Sequence, residues 1–417
     1  MHTYPKHLGS LMAESKNNSM LHFMVSLYIP GFLIMLGFSI VSPILPLYAQ
    51  SFDVPYALAA MVITANALGR IFTDIPLGTI CDRVGRRTLV ILGPLIVTVF
   101  AILSGLAQSF VELLVYRVVT GVGMAMWMVA RSAMIADNVP PAIRGRIMST
   151  FQVVGMTGSA AGPAVGGIVA EFWGYRAPFF FYGACTFVSF IVSLLLIRES
   201  KPLQQGDNKP AFAADLRLFL GSLTFPLIMA VFTSFANSFP FVARSVLIPL
   251  YGNDVLSLTA AEIGLVLTAS TVTNLLIAVP GGFIIDRYGR KAGLVPSFVL
   301  NGLILALFPF STDFMSAVLI ATFLGVAGGI GLGASMSLAV DLAPEGHKGL
   351  FLGFWQTIGD LGMAVGPVAL GFVADLYGLA MPFYVVAALM LFTAGTTLFF
   401  VKETFNAKRG KARAIVK

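Results

Sequence analysis

The chain has 417 residues, 57% of them hydrophobic and only 11% charged, with a mean hydropathy of +0.89. A soluble fold of this size needs a far more polar surface, so the composition makes lipid the outer solvent. The net charge of +7 invites a nucleic-acid reading, but 22 of the 26 Lys and Arg fall on one side of a twelve-span topology, which is the positive-inside asymmetry of a membrane protein.

Apolar stretches of about 20 residues, long enough to span a bilayer, predict helices over 23–48, 57–81, 88–107, 110–136, 147–171 and 178–198. A second set follows over 219–248, 261–284, 292–310, 314–340, 350–374 and 380–401. The organisation is a polar tail (1–22), a six-helix unit (23–198), a linker (199–218), a second six-helix unit (219–401) and a basic tail (402–417). The charge asymmetry assigns both tails and the linker to the cytoplasm. Lys408, Arg409, Lys411, Arg413 and Lys417 suit anionic lipid better than a specific partner. The first apolar stretch is too long for a signal-peptide core. Cys81 and Cys185 are the only cysteines and the four histidines are scattered, so neither a disulfide nor a metal site is expected.

Helix 1 carries Leu36-Gly37 and then Pro43-Ile-Leu-Pro46-Leu-Tyr48. Helix 2 holds Asn66, a weak pathway candidate, followed by Arg70 and Asp74. Arg70 precedes Asp74 by four residues, the spacing of an intrahelical ion pair. Asp74 lies eight residues before Asp82, roughly 12 Å deep. The helix closes in Gly78-Thr-Ile-Cys-Asp82-Arg83-Val-Gly85-Arg86-Arg87. Gly78 and Asp82 share one face and permit close helix contact. Gly85 allows the tight turn, and Arg83, Arg86 and Arg87 are placed to pair with Asp82. Helix 4 contains Tyr116-Arg117-Val-Val-Thr-Gly121. An arginine at membrane depth is costly and is a functional candidate, unless it snorkels to the outer interface. Arg131 is counted with the 4–5 loop, and Asp137 stands close to it. Helix 5 carries Gln152 and then Gly155, Gly158, Gly162-Pro163 and Gly166-Gly167, which make a flat packing face with a bend at the proline.

In the second unit, helix 7 offers Asn237, Phe241 and, near its expected outer end, Arg244 as an external gate or interface anchor. Helix 8 carries Asn274 and ends in Gly282-Phe-Ile-Ile-Asp286-Arg287-Tyr-Gly289-Arg290-Lys291. The glycine run 325–333 of helix 10 reads as close packing, since no Lys-Ser/Thr follows to make a phosphate loop. Asp341 lies beyond it. Helix 11 holds Trp355, Gln356 and, ten residues in, Asp360.

These elements repeat at one register. Asp82, Arg83, Gly85 and Arg86 meet Asp286, Arg287, Gly289 and Arg290, an offset of 204 residues. At the same offset Asp137 meets Asp341, Gln152 meets Gln356, and Gly162-Pro163 meets Gly366-Pro367. Two equivalent halves follow, and parallel repeats place a substrate site between them near the membrane midplane.

The doubled loop resembles the signature loop of the major facilitator superfamily, and the Arg117 segment resembles its buried-arginine motif. The helix 5 glycines are similar to its antiporter pattern. Helix 1, with a faint echo in Pro249-Leu-Tyr251, is similar to the twelve-span drug:proton antiporter branch. The resemblance covers essentially the whole chain. It implies an all-α integral membrane fold of twelve helices in two pseudo-symmetric six-helix bundles. It also implies a conformational latch made and broken during alternating access, formed by Gly78, Asp82, Arg83, Gly85, Arg86, Arg87 and Asp137 with their copies Gly282, Asp286, Arg287, Gly289, Arg290 and Asp341. In that architecture helix 2 packs against helix 11, so Asp74 and Asp360 face each other across the moving interface. Protonation of either carboxylate would couple transport to a proton gradient, with Arg70 and Arg117 as partners; the rival is a permanent Arg70–Asp74 pair. Gln152, Gln356, Trp355, Asn66, Asn237, Asn274 and Arg244 are the pathway candidates. The expected function is proton-coupled efflux of small amphiphilic or lipophilic compounds by a monomer in the cell membrane, without cofactor or nucleic acid. The alternatives are an uptake or exchange carrier for an organic acid, and a non-transporting sensor. No nucleophile–base set stands out to suggest an enzyme.

Overall fold

The computed structural model describes residues 6–197, Glu199, 225–343 and 348–404, except for the side chains of residues 6–23, 74–76, 78–83, 141–142, 144–146 and 348–350. Twelve helices cross the bundle: α1 Lys6–Val41, α2 Tyr56–Val84, α3 Arg86–Leu106, α4 Phe110–Asn138, α5 Pro141–Trp173 and α6 Ala177–Leu196, then α7 Phe225–Asp254, α8 Ala260–Tyr288, α9 Arg290–Leu307, α10 Phe314–Leu342, α11 Lys348–Tyr377 and α12 Met381–Phe400. Each contains a stretch long and apolar enough to span. The predicted elements differ from these at three places. The backbone of α1 is helical from Lys6, and after a turn over 42–44 the chain forms a separate short helix, Leu45–Gln50, with Pro46 in its first turn. α7 runs on to Asp254 because its prolines sit where a missing N–H is tolerated: Pro240 and Pro249 open the segments Phe239–Val242 and Ile248–Asp254, with a π turn, Ala243–Leu247, between them. α10 breaks at Leu332–Gly333, where Gly333 adopts φ +81°, a conformation that glycine enters without steric cost.

Within each half the packing repeats. α1 packs on α5 and α6, α2 on α4, and α3 on α4 and α6. Likewise α7 packs on α11 and α12, α8 on α10, and α9 on α10 and α12. Among apolar chains in lipid, close approach of small residues supplies much of the attraction. Gly158, Gly162 and Gly166 of α5 lie against Phe32, Ser39 and Ile40 of α1, and Gly121 of α4 lies against Asn66 and Gly69 of α2. The halves meet along two further pairs related by the repeat, α5 with α8 and α11 with α2. The loops at 85, 199 and 289 mark the linker side of the bundle. Those at 51–55, 174–176, 255–259 and 378–380 mark the far side.

Candidate functional site

At the far side the halves are joined by carboxylates that cap helices of the opposite half. The first N–H groups of a helix lack intrahelical partners and carry partial positive charge. Glu171, at the end of α5, accepts from the N–H of Ala261 in the first turn of α8 at 2.9 Å. Asp375, at the end of α11, accepts from Tyr56 N–H at 2.8 Å and Ala57 N–H at 3.0 Å in the first turn of α2. Glu171 and Asp375 obey the same repeat offset as the loops. Asp254 adds a third tie, accepting from the Tyr56 hydroxyl at 2.7 Å and from Gln50 Nε2 at 3.2 Å. Burial, and secondarily the charge of Asp254, push the Tyr175 phenol above its ordinary pKa. Gly167 touches Ala260 and Gly264, while Gly371 touches Tyr56 and Ala57, so the backbones meet here.

Deeper along the α2–α11 seam, Thr64 Oγ1 donates to the Ala364 carbonyl at 2.6 Å. Arg70 Nη2 then pairs with Asp360 Oδ1 at 3.1 Å, with both side chains largely buried. Arg70 thus has a partner from the other half; the expected Arg70–Asp74 pair falls on a side chain outside the described residues. Toward the linker side the seam opens. Gln152 and Gln356 are exposed, and a side chain at Gly353 would meet nothing.

Between the halves lies a cavity of about 440 Å³. Phe38, Met156, Phe241 and Leu332 give it an apolar side; Asn237, Arg244, Asn274 and Asn301 give it polar groups. Asn237 and Asn274, two of the pathway candidates, line this cavity. Arg244 is not an outer gate, because α7 continues ten residues past it and turns it into the cavity wall. A chamber of about 40 Å³ adjoins, sharing Phe38, Ser42, Phe241 and Ser245, and it holds Asn66, Arg70 and Arg117. Arg117 is 2% exposed, so it does not snorkel to the interface. Its Nε and Nη1 have no hydrogen-bond partner among the described residues. Trp355 departs from the pathway reading: it is buried in the second half against Phe351. Gln152 and Gln356 are exposed and are not among the residues that line either cavity.

On the linker side each half carries its own ion pair at the loop expected to act as a latch. Arg86 pairs with Asp137 of α4. In the copy, Arg290 Nε reaches Asp341 at 3.0 Å and Nη1 reaches Asp286 at 3.3 Å. The expected pairing with Asp82 falls outside the described residues, as do the side chain of Arg83 and the surroundings of Gly78. Arg87 Nη2 donates to the Leu194 carbonyl, and Lys291 Nζ to that of Leu398. Arg287 lies over the exposed ring of Tyr288. Sequence reasoning missed Glu199 and Glu403. Glu199 accepts from the N–H groups of Arg86 and Arg87 at 3.0 and 3.3 Å, and Glu403 from those of Arg290 and Lys291, both at 3.0 Å. Both glutamates obey the repeat offset, which was the available signal. Arg131 is also corrected: it lies inside α4, buried, with its guanidinium 4.1 Å from the Phe151 ring and 4.8 Å from that of Trp127. No three His, Cys, Asp or Glu side chains converge to hold a metal among the described residues.

Comparisons with known proteins agree with this architecture. The chain is 28% identical over 389 residues to the multidrug resistance protein MdtG of Enterobacter lignolyticus, covering 90% of this chain and 91% of the relative. It is 24% identical over 391 residues to the quinolone resistance protein NorA of Staphylococcus aureus, covering 92% and 97%. Its fold matches a D-xylose–proton symporter (TM-score 0.73, 17% identity, 92% and 98% covered). It also matches an inward-facing, occupied bacterial homologue of the human lysosomal transporter Spinster (TM-score 0.76, 16% identity, 90% and 95% covered). The model of the Major Facilitator Superfamily matches residues 27–259 and 232–416, and the chain, a multi-pass membrane protein, belongs to that superfamily of secondary transporters.

Proposed function

We propose that the protein exports small amphiphilic compounds across the cell membrane in exchange for protons, with both termini in the cytoplasm. The observation that carries this reading is the Arg70–Asp360 pair, the ion pair across the moving seam, at the depth of the chamber beside the cavity. In the conformation described, the far side is sealed and Asp360 is held by Arg70. Opening the far side separates the two. An ionised carboxylate stripped of its partner in apolar surroundings is costly, so Asp360 takes a proton from the far-side solvent. Reclosure returns Arg70, and the proton leaves toward the linker side. Substrate in the cavity travels the opposite way in the same cycle. The multidrug and quinolone resistance relatives support an export direction. The free cation Arg244 favours a second reading, a carrier of organic acids.

Reconstitution into liposomes with an imposed pH gradient tests the proposal. A fluoroquinolone should accumulate on the acidic side with counterflow of protons. Equal accumulation with and without the gradient would refute proton exchange.

A further inference from the structure

We propose that the cavity selects substrates carrying one carboxylate head group, received by the guanidinium of Arg244, with the apolar body laid against Phe38, Met156 and Phe241. The proposal rests on the transport reading above and names its substrate class. Arg244 is the only charged side chain among the described residues of the cavity wall. Its Nε is committed to the Pro240 carbonyl at 3.1 Å. Both Nη atoms lie beside Gly328, another wall residue, 3.6 Å from where its Cβ would stand. Among the described residues no carboxylate lies within ion-pair distance of Arg244. Asp360 of the neighbouring seam is paired with Arg70.

A cation lodged between helices without a counter-ion is a standing cost, and cations so placed mark substrate or ion pathways. A bound anion removes that cost. The guanidinium offers two parallel N–H groups that match a carboxylate. Asn237 and Asn274 add amide donors and no charge to the wall, whereas Asn301 donates its Nδ2 to the Ser297 carbonyl at 2.8 Å. The break in α10 brings Gly333 and Ser335, at the amino end of Ala334–Leu342, to the same wall, adding partial positive charge. The carboxyl end of the preceding segment, with Gly328 and Gly331, lies on the same wall, and the full positive charge of Arg244 is the one formal charge among the described wall residues.

The test uses the full chain in lipid nanodiscs and three probes on one aromatic body: 2-naphthylacetate, 2-naphthylacetamide and 2-naphthylethylammonium, titrated by calorimetry. The carboxylate should bind at least tenfold more tightly than the amide, and the ammonium no more tightly than the amide. Arg244→Gln should abolish the preference, bringing the carboxylate to the level of the amide in the same variant. Arg244→Lys, which keeps the charge and loses the fork, should weaken the carboxylate by a smaller factor. The wild-type ranking alone decides the matter if the variants do not fold: equal or stronger binding of the amide or ammonium overturns the proposal, as does no binding of the carboxylate. In liposomes, proton flux driven by the ammonium and not by the carboxylate overturns the anionic class while leaving transport standing. Flux with none of these probes or the quinolone overturns both.

Discussion

Arg70 shows what residue spacing can and cannot supply. Its position four residues before Asp74 made an intrahelical pair the natural expectation, while a carboxylate it meets in the structure is Asp360, 290 positions away. The depth of Asp360 was legible from its place in helix 11; the identity of its partner was not, because spacing within one helix is blind to a second helix across a seam. If this pair couples transport to protons, Asp360→Asn should lower proton-driven flux at least tenfold in liposomes and leave gradient-independent substrate exchange intact. Equal loss of both would place Asp360 in general architecture instead. Arg131 makes the same point about charge counting. It contributed to the positive side as a loop residue, while its neighbours Trp127 and Phe151 form an aromatic cage around it. Arg131→Ala should destabilise the first half by about 1–3 kcal/mol, seen as a lower melting temperature in detergent. Arg131→Lys should lose less, since a cation over the rings is kept.

At the scale of elements, helix existence and order were legible and helix interruptions were not. Pro240 and Pro249 bracket a π turn that carries α7 to Asp254, and this moves Arg244 from the expected outer end to the cavity. The glycine run in α10 combines two roles: Gly325 and Gly329 do pack against α8, whereas Gly333 breaks the helix. Apolar periodicity registers neither event. The far-side seam is built from two equivalent carboxylate caps, Glu171 on α8 and Asp375 on α2. Such caps contribute about 1 kcal/mol each. The double variant Glu171→Gln, Asp375→Asn should therefore open the far side more often. Thr64→Cys, buried in the seam, should then react several-fold faster with a membrane-impermeant maleimide applied from the far side. An unchanged rate would show that the glycine contacts alone seal it.

For the whole molecule, the offset relating Asp82 to Asp286 was the strongest signal in the sequence. It correctly implied two like halves. The same offset relates the ion pairs Arg86–Asp137 and Arg290–Asp341, the supporting Glu199 and Glu403, and the seam caps Glu171 and Asp375. Three charged residues depart from the offset: Arg117, Arg244 and Asp360 have no charged counterpart at their equivalent positions Ala321, Ile40 and Met156, and the proposed function rests on the last of them. Which end of the seam is closed could not be read from the chain, because a repeat is symmetric with respect to that choice.

The central claim is that the halves rock about the cavity, and distances between spin labels on the two sides test it most directly. In a background lacking Cys81 and Cys185, one pair is placed on the linker side at Gln152 and Gln356, and another on the far side at Gln108 and Thr312, all exposed. Between the resting state and acid with bound substrate, the linker-side distance should shorten while the far-side distance lengthens. Two distances that stay fixed, or that change in the same direction, would contradict rocking.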